Sequence, residues 1–278
     1  MARLSKPLQK KHQQAMDLAL GKDVLTHDEK IFVIENFRED AGKNTSWSGA
    51  FFTPFDLARD LAIMVNGPRI IDLCAGIGTL SFASSFLGHT HSKSGMEIVC
   101  VERNADYVAI GKKIVPEATW IQGDIFDLDL KALGRFDMAI GNPPYGRVHM
   151  SSKAPRYTGS EFEYAVIDIA SDLADAGVFI VPQGSVPWMM SGIGHNYRSK
   201  IPPKKYTKFL EETGIELDMN IGIDTSHAEE LWHGTKIRTE ITCVEFPKRE
   251  TTTIAVPVAE DQKFTVNPKT GQFMLFAA

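Results

Sequence analysis

The sequence has little cysteine, no long apolar run and no excess of basic charge, and each shortage closes off a class of protein. Its three cysteines, Cys74, Cys100 and Cys243, are odd in number and far apart, and two of them fall inside apolar strand-like runs. Buried free thiols are therefore expected rather than a disulfide framework or a metal site, and the chemistry is expected to need no metal. No stretch approaches the roughly 18 consecutive apolar residues that a membrane span requires. The basic start MARLSKPLQKKHQQ leads into no apolar core with a small-residue cleavage site. A cytoplasmic protein without a membrane partner is the expectation. A net charge of −5 and a pI near 5.9 give no overall basic field of the kind that marks a nucleic-acid binder. No internal repeat and no low-complexity segment is visible.

What is present is an alternation. With 278 residues the chain can bury one large α/β domain with appendages, or two small domains. Residues 1–45 are polar and carry apolar residues at helical spacing in HQQAMDLAL and DEKIFVIENFRED, which predicts an N-terminal extension of two helices. A third helix is expected from Phe55 to Val65. Strand patterns then follow at 69–74, 97–102, 119–122, 136–141 and 177–182, with helical patterns at 80–87, 105–115 and 162–176 between them. Such alternation implies right-handed βαβ units and a parallel sheet covered on both faces. Near the end, IELDMNIGI (215–223) and TEITCVEF (239–246) are joined by a connection too short for a crossover helix, so this pair is expected to be antiparallel. The expected boundaries are a helical extension at 1–45, a main domain at 46–250 with a basic insertion at about 184–208, and a hairpin tail at 251–278 around NPKTG.

Two kinds of position in this pattern invite a ligand. In DLCAGIGTLSF, Asp72 ends the first strand and Gly76 and Gly78 occupy the turn before a helix, where glycines permit close backbone approach and free amides face outward. The same turn also serves to pack helix on sheet. A dinucleotide fingerprint would need a third glycine, and that position is Phe82. Glu102 ends the second strand, placed to accept both hydroxyls of a ribose, and Asp124 follows the third, within reach of an adenine amino group; each could equally be a solvated loop acid. The fourth strand runs into Asn142-Pro143-Pro144-Tyr145-Gly146. Charge is also clustered: residues 146–160 carry Arg147, Lys153 and Arg156 with no acid, and residues 183–210 carry Arg198, Lys200, Lys204, Lys205 and Lys208 with no acid. The two stretches make one cationic surface if the fold joins them, and two solvated loops if it does not.

The ordered set Asp72-Leu-Cys-Ala-Gly-Ile-Gly78, Glu102, Asp124 and Asn142-Pro-Pro-Tyr145 resembles the class I methyltransferases that use S-adenosylmethionine. The Asn-Pro-Pro-Tyr tetrapeptide after the fourth strand is similar to enzymes that methylate planar amino nitrogens, above all N6 of adenine in DNA. GAFFTP (49–54), upstream of the glycine turn, resembles the F-x-T-P element that lies over the methionine end of the cofactor in those enzymes. The resemblance covers about residues 49–246. It implies a Rossmann-like, doubly wound, mostly parallel seven-stranded sheet with the last strand antiparallel. It also implies cofactor contacts from Phe52, Thr53, Pro54, Asp72, Ala75, Gly76, Gly78, Glu102, Asp124 and Asn142.

The chemistry explains the tetrapeptide. An exocyclic amine conjugated with a purine is a poor nucleophile, and two fixed acceptors, the Asn142 side-chain oxygen and the Pro143 carbonyl, would pull it towards tetrahedral geometry. Pro143 and Pro144 stiffen the backbone, and Tyr145 is placed to stack on the base. A base in duplex DNA must be flipped out to reach such a clamp, which implies a second aromatic; Trp232 is the candidate. Arg147, Lys153 and Arg156, with the insertion, are expected to contact DNA. No nuclease motif is visible, which fits a restriction-modification or solitary methyltransferase. RNA adenine and protein glutamine methyltransferases share the tetrapeptide, and a non-catalytic partner subunit is an alternative of another class.

Overall fold

Arg69–Leu73 (β1) alternates Ile70 and Asp72 on one side with Ile71 and Leu73 on the other, and everything from Ile70 onward is buried. A strand that is apolar on both faces needs cover on both, and β1 accordingly lies inside a seven-stranded sheet. The structure is a computed structural model that describes residues 5–38, 51–88, 95–146, 148–194, 197–233 and 235–248, together with the short strands 265–266 and 273–274.

Four further strands run parallel to β1: β2 (Glu97–Glu102), β3 (Thr119–Gln122), β4 (Phe136–Gly141) and β5 (Ala174–Pro182). A two-stranded ribbon, β6 (Trp188–Met189) with β7 (Tyr197–Arg198), stands outside the sheet. The sheet is completed by β8 (Asp218–Met219) and β9 (Thr239–Glu245), in the order β3-β2-β1-β4-β5-β9-β8, with β9 antiparallel to both neighbours. This is the class I methyltransferase fold. The order in which successive strands are added reverses between β1 and β4, and the crevice outside that switch point is where open α/β sheets hold ligands.

Two hydrophobic clusters cover the sheet. One joins Ile70, Ile98, Cys100, Ile140 and Val178 to helices α1 (Lys6–Gly21), α2 (His27–Asn36), α3 (Phe55–Ala62), α4 (Thr79–Leu87) and α5 (Ala105–Ile114). The other joins Ile71, Leu73, Val99, Val101 and Phe179 to α6 (Phe162–Ser171) and α7 (Lys204–Thr213). A capping box starts α2: Glu29 N–H donates to Thr26 Oγ1 and Thr26 N–H donates back to Glu29 Oε2. The chain divides into two compact units at Pro247, and in the second β10 (Thr265–Val266) pairs antiparallel with β11 (Phe273–Met274). No described helix is long and apolar enough to cross a membrane.

Three element boundaries differ most from the sequence reading, and the simplest is α3, expected to reach Val65 but ending at Ala62. The helix expected at 162–176 stops at Ser171, and Ala174-Asp175-Ala176 joins β5, because Ala174 and Ala176 pair with Phe136 and Met138 of β4. Small residues fit that crowded register, and tertiary pairing overrides their helix propensity. The strand expected at 215–223 shrinks to β8. Asn220 ends it, accepting N–H bonds from Gly222 and Ile223 at Oδ1 while Nδ2 donates to the Ile241 carbonyl, and this turns the chain out of the ladder.

Gly111 inside α5 makes one close approach possible. A Cβ there would meet the Trp120 ring at 2.1 Å, and Trp120 is held by its Nε1–H to the Val115 carbonyl at 3.1 Å. Gly111→Ala, worth about 1 kcal/mol of helix propensity, is expected instead to destabilise by about 1–3 kcal/mol through overpacking. The urea midpoint reads the sign; a more stable variant would mean that the ring yields freely.

Candidate active site

Register alone brings the candidate residues level. Leu73 pairs with Val101 and Asp72 with Ile140, so the next residues, Cys74, Glu102 and Asn142, leave three adjacent strands at the same height. With about 4.8 Å between strands, Glu102 and Asn142 stand about 10 Å apart across the switch point. Between and above them lies a cavity of about 380 Å³, lined among others by Phe52, Gly76, Glu102, Asp124, Asn142 and Pro144. That volume lies within the usual range of small-molecule sites. A smaller recess of about 20 Å³ shares Phe52, Gly76 and Asn142 with it and adds Thr53, Asp72 and Ala75.

Backbone N–H groups orient Glu102 and Asp124, and a hydroxyl orients Asp72. Glu102 accepts Gly76 N–H at Oε2 (2.9 Å) and Asn104 N–H at Oε1 (2.7 Å); burial is the larger influence and raises its pKa. Asp124 accepts Phe126 N–H at Oδ1 (3.1 Å), and its Oδ2 lies 3.5 Å from Arg103. Asp72 is fully buried, with Oδ2 accepting the Ser81 hydroxyl at 2.7 Å and Oδ1 without a hydrogen-bond partner among the described residues. Burial pushes its pKa up to about 7, against the lowering effect of Ser81. A buried carboxylate oxygen with no partner is expensive, and here it borders the recess that opens towards Asn142. Cys74, also on the wall, adopts φ 65°, a left-handed conformation rare outside glycine.

The elbow is tied to the segment before the glycine turn. Asn142 Nδ2 donates to the Phe51 carbonyl at 2.9 Å and to Thr53 Oγ1 at 3.0 Å, so both of its N–H bonds are committed. Its Oδ1 is thereby turned the other way and accepts the Tyr145 hydroxyl. Burial, with a smaller effect of Glu163, raises the Tyr145 pKa, so the phenol stays protonated and donating. The Tyr145 ring meets Phe51 at 6.5 Å and Trp232 edge-on at 6.4 Å and 73°. Trp232 is therefore beside Tyr145 as expected, but the two rings touch each other rather than framing a gap. Trp232 is only 5% exposed, and its indole N–H has no partner among the described residues.

Other expected contacts lie elsewhere. Gly78 does not line the crevice; its φ of +84° starts α4, and a Cβ there would meet Trp120 at 3.0 Å, so this glycine serves helix packing. Pro54 is the N-cap of α3 and is likewise outside the lining. Arg156 turns inward to pair with buried Asp168 at 3.0 Å and with Asp172, pinning the loop after the elbow to α6. Lys153 borders a separate cavity of about 210 Å³ with Asp129 and Asp172. Arg147 lies outside the described residues.

The fold does join the two basic stretches, since Lys208 donates to Thr158 Oγ1 at 2.7 Å and Phe209 meets the Tyr157 ring at 5.6 Å. Most of the charge is neutralised there: Arg198 faces Asp218, Lys205 faces Glu163 and Lys208 faces Glu212. Lys153, Lys200 and Lys204 have no acidic partner among the described residues. Tyr107, Ile125, Val148 and Phe162 complete the crevice as an apolar wall that the motifs do not mark. Of these, Ile125 could be found from its place directly after Asp124; Phe162 could not, because it arrives from the start of α6.

The sequence matches no protein-family model and no curated protein. In fold the chain is similar to a modification subunit assigned to a type I restriction enzyme of Vibrio vulnificus YJ016, at 12% identity and a TM-score of 0.53, covering 79% of this chain and 49% of that one. It is also similar to the methyltransferase subunit of a type I restriction-modification system of Streptococcus thermophilus, at 15% identity and a TM-score of 0.50, covering 82% and 52%. The chain spans about half the length of these two neighbours.

Asp72 predicts a pH signature. Its folded pKa of about 7 lies above its ordinary 3.8, so its contribution to stability is full below pH 4 and is lost as pH rises to 7. Asp72→Asn is expected to remove that part of the slope and to raise the melting temperature of the ligand-free protein at pH 8. An unchanged slope in thermal denaturation between those limits would mean that Asp72 is ionised throughout.

Proposed function

We propose that this chain transfers a methyl group from S-adenosylmethionine to the exocyclic N6 of adenine in DNA. The observation that carries the reading is the orientation of Asn142. With both N–H bonds spent on Phe51 and Thr53, its oxygen is a fixed acceptor at the end of the central crevice. The cofactor supplies a methyl carbon activated by a sulfonium. The chain's own groups fit it: Asp72 Oδ1 has no partner among the described residues and suits an ammonium, Glu102 suits a ribose diol, Asp124 suits an amino group, and Ile125 and Phe162 suit a purine face.

Asn142 Oδ1 and the Pro143 carbonyl would accept the two N–H bonds of the target amine and free its lone pair. Tyr145 holds that acceptor in the meantime, so an arriving amine exchanges one donor for another and leaves no buried oxygen unsatisfied. A base would enter by parting Tyr145 from Trp232, and the ring released from Asn142 would then be free to stack.

DNA is favoured over RNA or a glutamine side chain by the FFTP segment, whose carbonyl and threonine set the asparagine, and by the names of both fold neighbours, which belong to restriction systems. The β6–β7 ribbon is a fitting contact surface. Trp188 anchors it inward to the Leu217 carbonyl, while Tyr197, 48% exposed, and Met189 face outward beside Lys200 and Lys204.

Two measurements test this. Asn142→Ala should lower the rate of tritiated methyl incorporation into DNA by about 1000-fold, with cofactor Kd within about threefold of the parent; loss of both together would make the elbow a structural element only. Lys200→Ala with Lys204→Ala should weaken DNA binding at every sequence and reduce the slope of log K against log salt by about two. An unchanged slope would place the phosphate contacts elsewhere.

A further inference from the structure

The methyl-transfer geometry makes no use of one buried carboxylate that touches the elbow. Glu163, the second residue of α6, has no solvent exposure. Its Oε2 accepts the N–H of Gly146, the residue directly after Tyr145, at 2.9 Å. Its Oε1 accepts the Ser185 hydroxyl at 2.8 Å and lies 3.7 Å from Lys205 Nζ, which itself donates to Ser185 Oγ at 2.7 Å. The carbonyl of Gly146 accepts Phe162 N–H at 2.8 Å. Both backbone groups of Gly146 are thus held by the first two residues of α6, at a φ of +76° that suits glycine.

A buried charge carries a desolvation cost that a neutral acceptor would avoid, and it is tolerated where charge-assisted hydrogen bonds and a counter-ion use it. Here those partners are the end of the elbow on one side and two residues of the insertion, Ser185 and Lys205, on the other. We propose that Glu163 is the positioning residue of the Asn-Pro-Pro-Tyr elbow, clamping its downstream end as Phe51 and Thr53 clamp its upstream end, and tying it to the insertion through Ser185 and Lys205. This rests on the methyl-transfer reading above. Without the clamp the Pro143 carbonyl and Tyr145 lose their fixed direction, while the crevice that holds the cofactor is untouched.

The test compares kcat at saturating DNA and cofactor, cofactor Kd, and hydrogen exchange of the Gly146 amide. Glu163→Ala and Glu163→Met, the second of which fills the volume without an acceptor, should lower kcat by about 100-fold, the cost of a small misplacement, with cofactor Kd within about threefold. Glu163→Gln still presents an oxygen to Gly146 N–H and should stay within about tenfold of the parent. Gly146 should exchange slowly in the parent and in Glu163→Gln, and fast in Glu163→Met. Parental kcat in the Ala or Met variant, equal losses in Gln and Met, or a freely exchanging Gly146 in the parent would overturn the proposal. If Ala and Met do not fold, the Gln variant and the exchange of Gly146 decide it. A parent that transfers no methyl group would defeat the underlying reading instead, and Gly146 exchange would still report on the clamp.

Discussion

The amide nitrogen of Asn142 spends its two N–H bonds on the Phe51 carbonyl and on Thr53 Oγ1, and most of the site's character follows from that commitment. An asparagine side chain in a loop can point either end at a ligand. Here the donor end faces an acceptor-only carbonyl, so the acceptor end faces outward. The partners come from a segment 91 and 89 residues earlier in the chain, which explains why a short F-x-T-P element matters to a loop after β4. The stiff prolines then limit how far the neighbouring carbonyl can drift.

Around this point the fold distributes buried carboxylates with different jobs. Asp72 leaves one oxygen at the recess without a hydrogen-bond partner among the described residues, and burial raises its pKa. Glu102 is set by two backbone N–H groups and faces the crevice. Glu240, by contrast, is satisfied completely by Gln183, Met190 and Ser191, and fastens the start of the insertion to β9. Of these three acids, Asp72 alone keeps an oxygen without a partner among the described residues.

Much of this was readable from the sequence, and the failures have physical causes. The strand-end acids and the glycine turn follow from the period of the βαβ pattern, because register carries a residue just past a strand end into the crevice automatically. The element boundaries at Ser171 and Asn220 were not readable, since a pairing partner decided one and a side chain turning back on its own backbone decided the other. Arg156 shows a related limit: a basic residue in an acid-free loop looks free, but its acids, Asp168 within α6 and Asp172 at its C-cap, sit 12 and 16 residues further on. Gly78 misled because a ligand and a tryptophan ask the same thing of a turn, namely the absence of a Cβ. Trp232 was placed beside Tyr145 by topology, yet the closed contact between the rings depends on packing that no motif encodes.

The central claim is that Asn142 and Pro143 form a paired acceptor for an amino group, held ready by Tyr145. A crystal structure with an adenine-containing oligonucleotide and a cofactor analogue bearing an amine in place of the sulfonium methyl tests it most directly. The account predicts adenine N6 at hydrogen-bond distance, about 2.7–3.2 Å, from both Asn142 Oδ1 and the Pro143 carbonyl, with the Tyr145 hydroxyl displaced. A base bound elsewhere, or a tyrosine still bonded to Asn142 beside an occupied cofactor crevice, would contradict it.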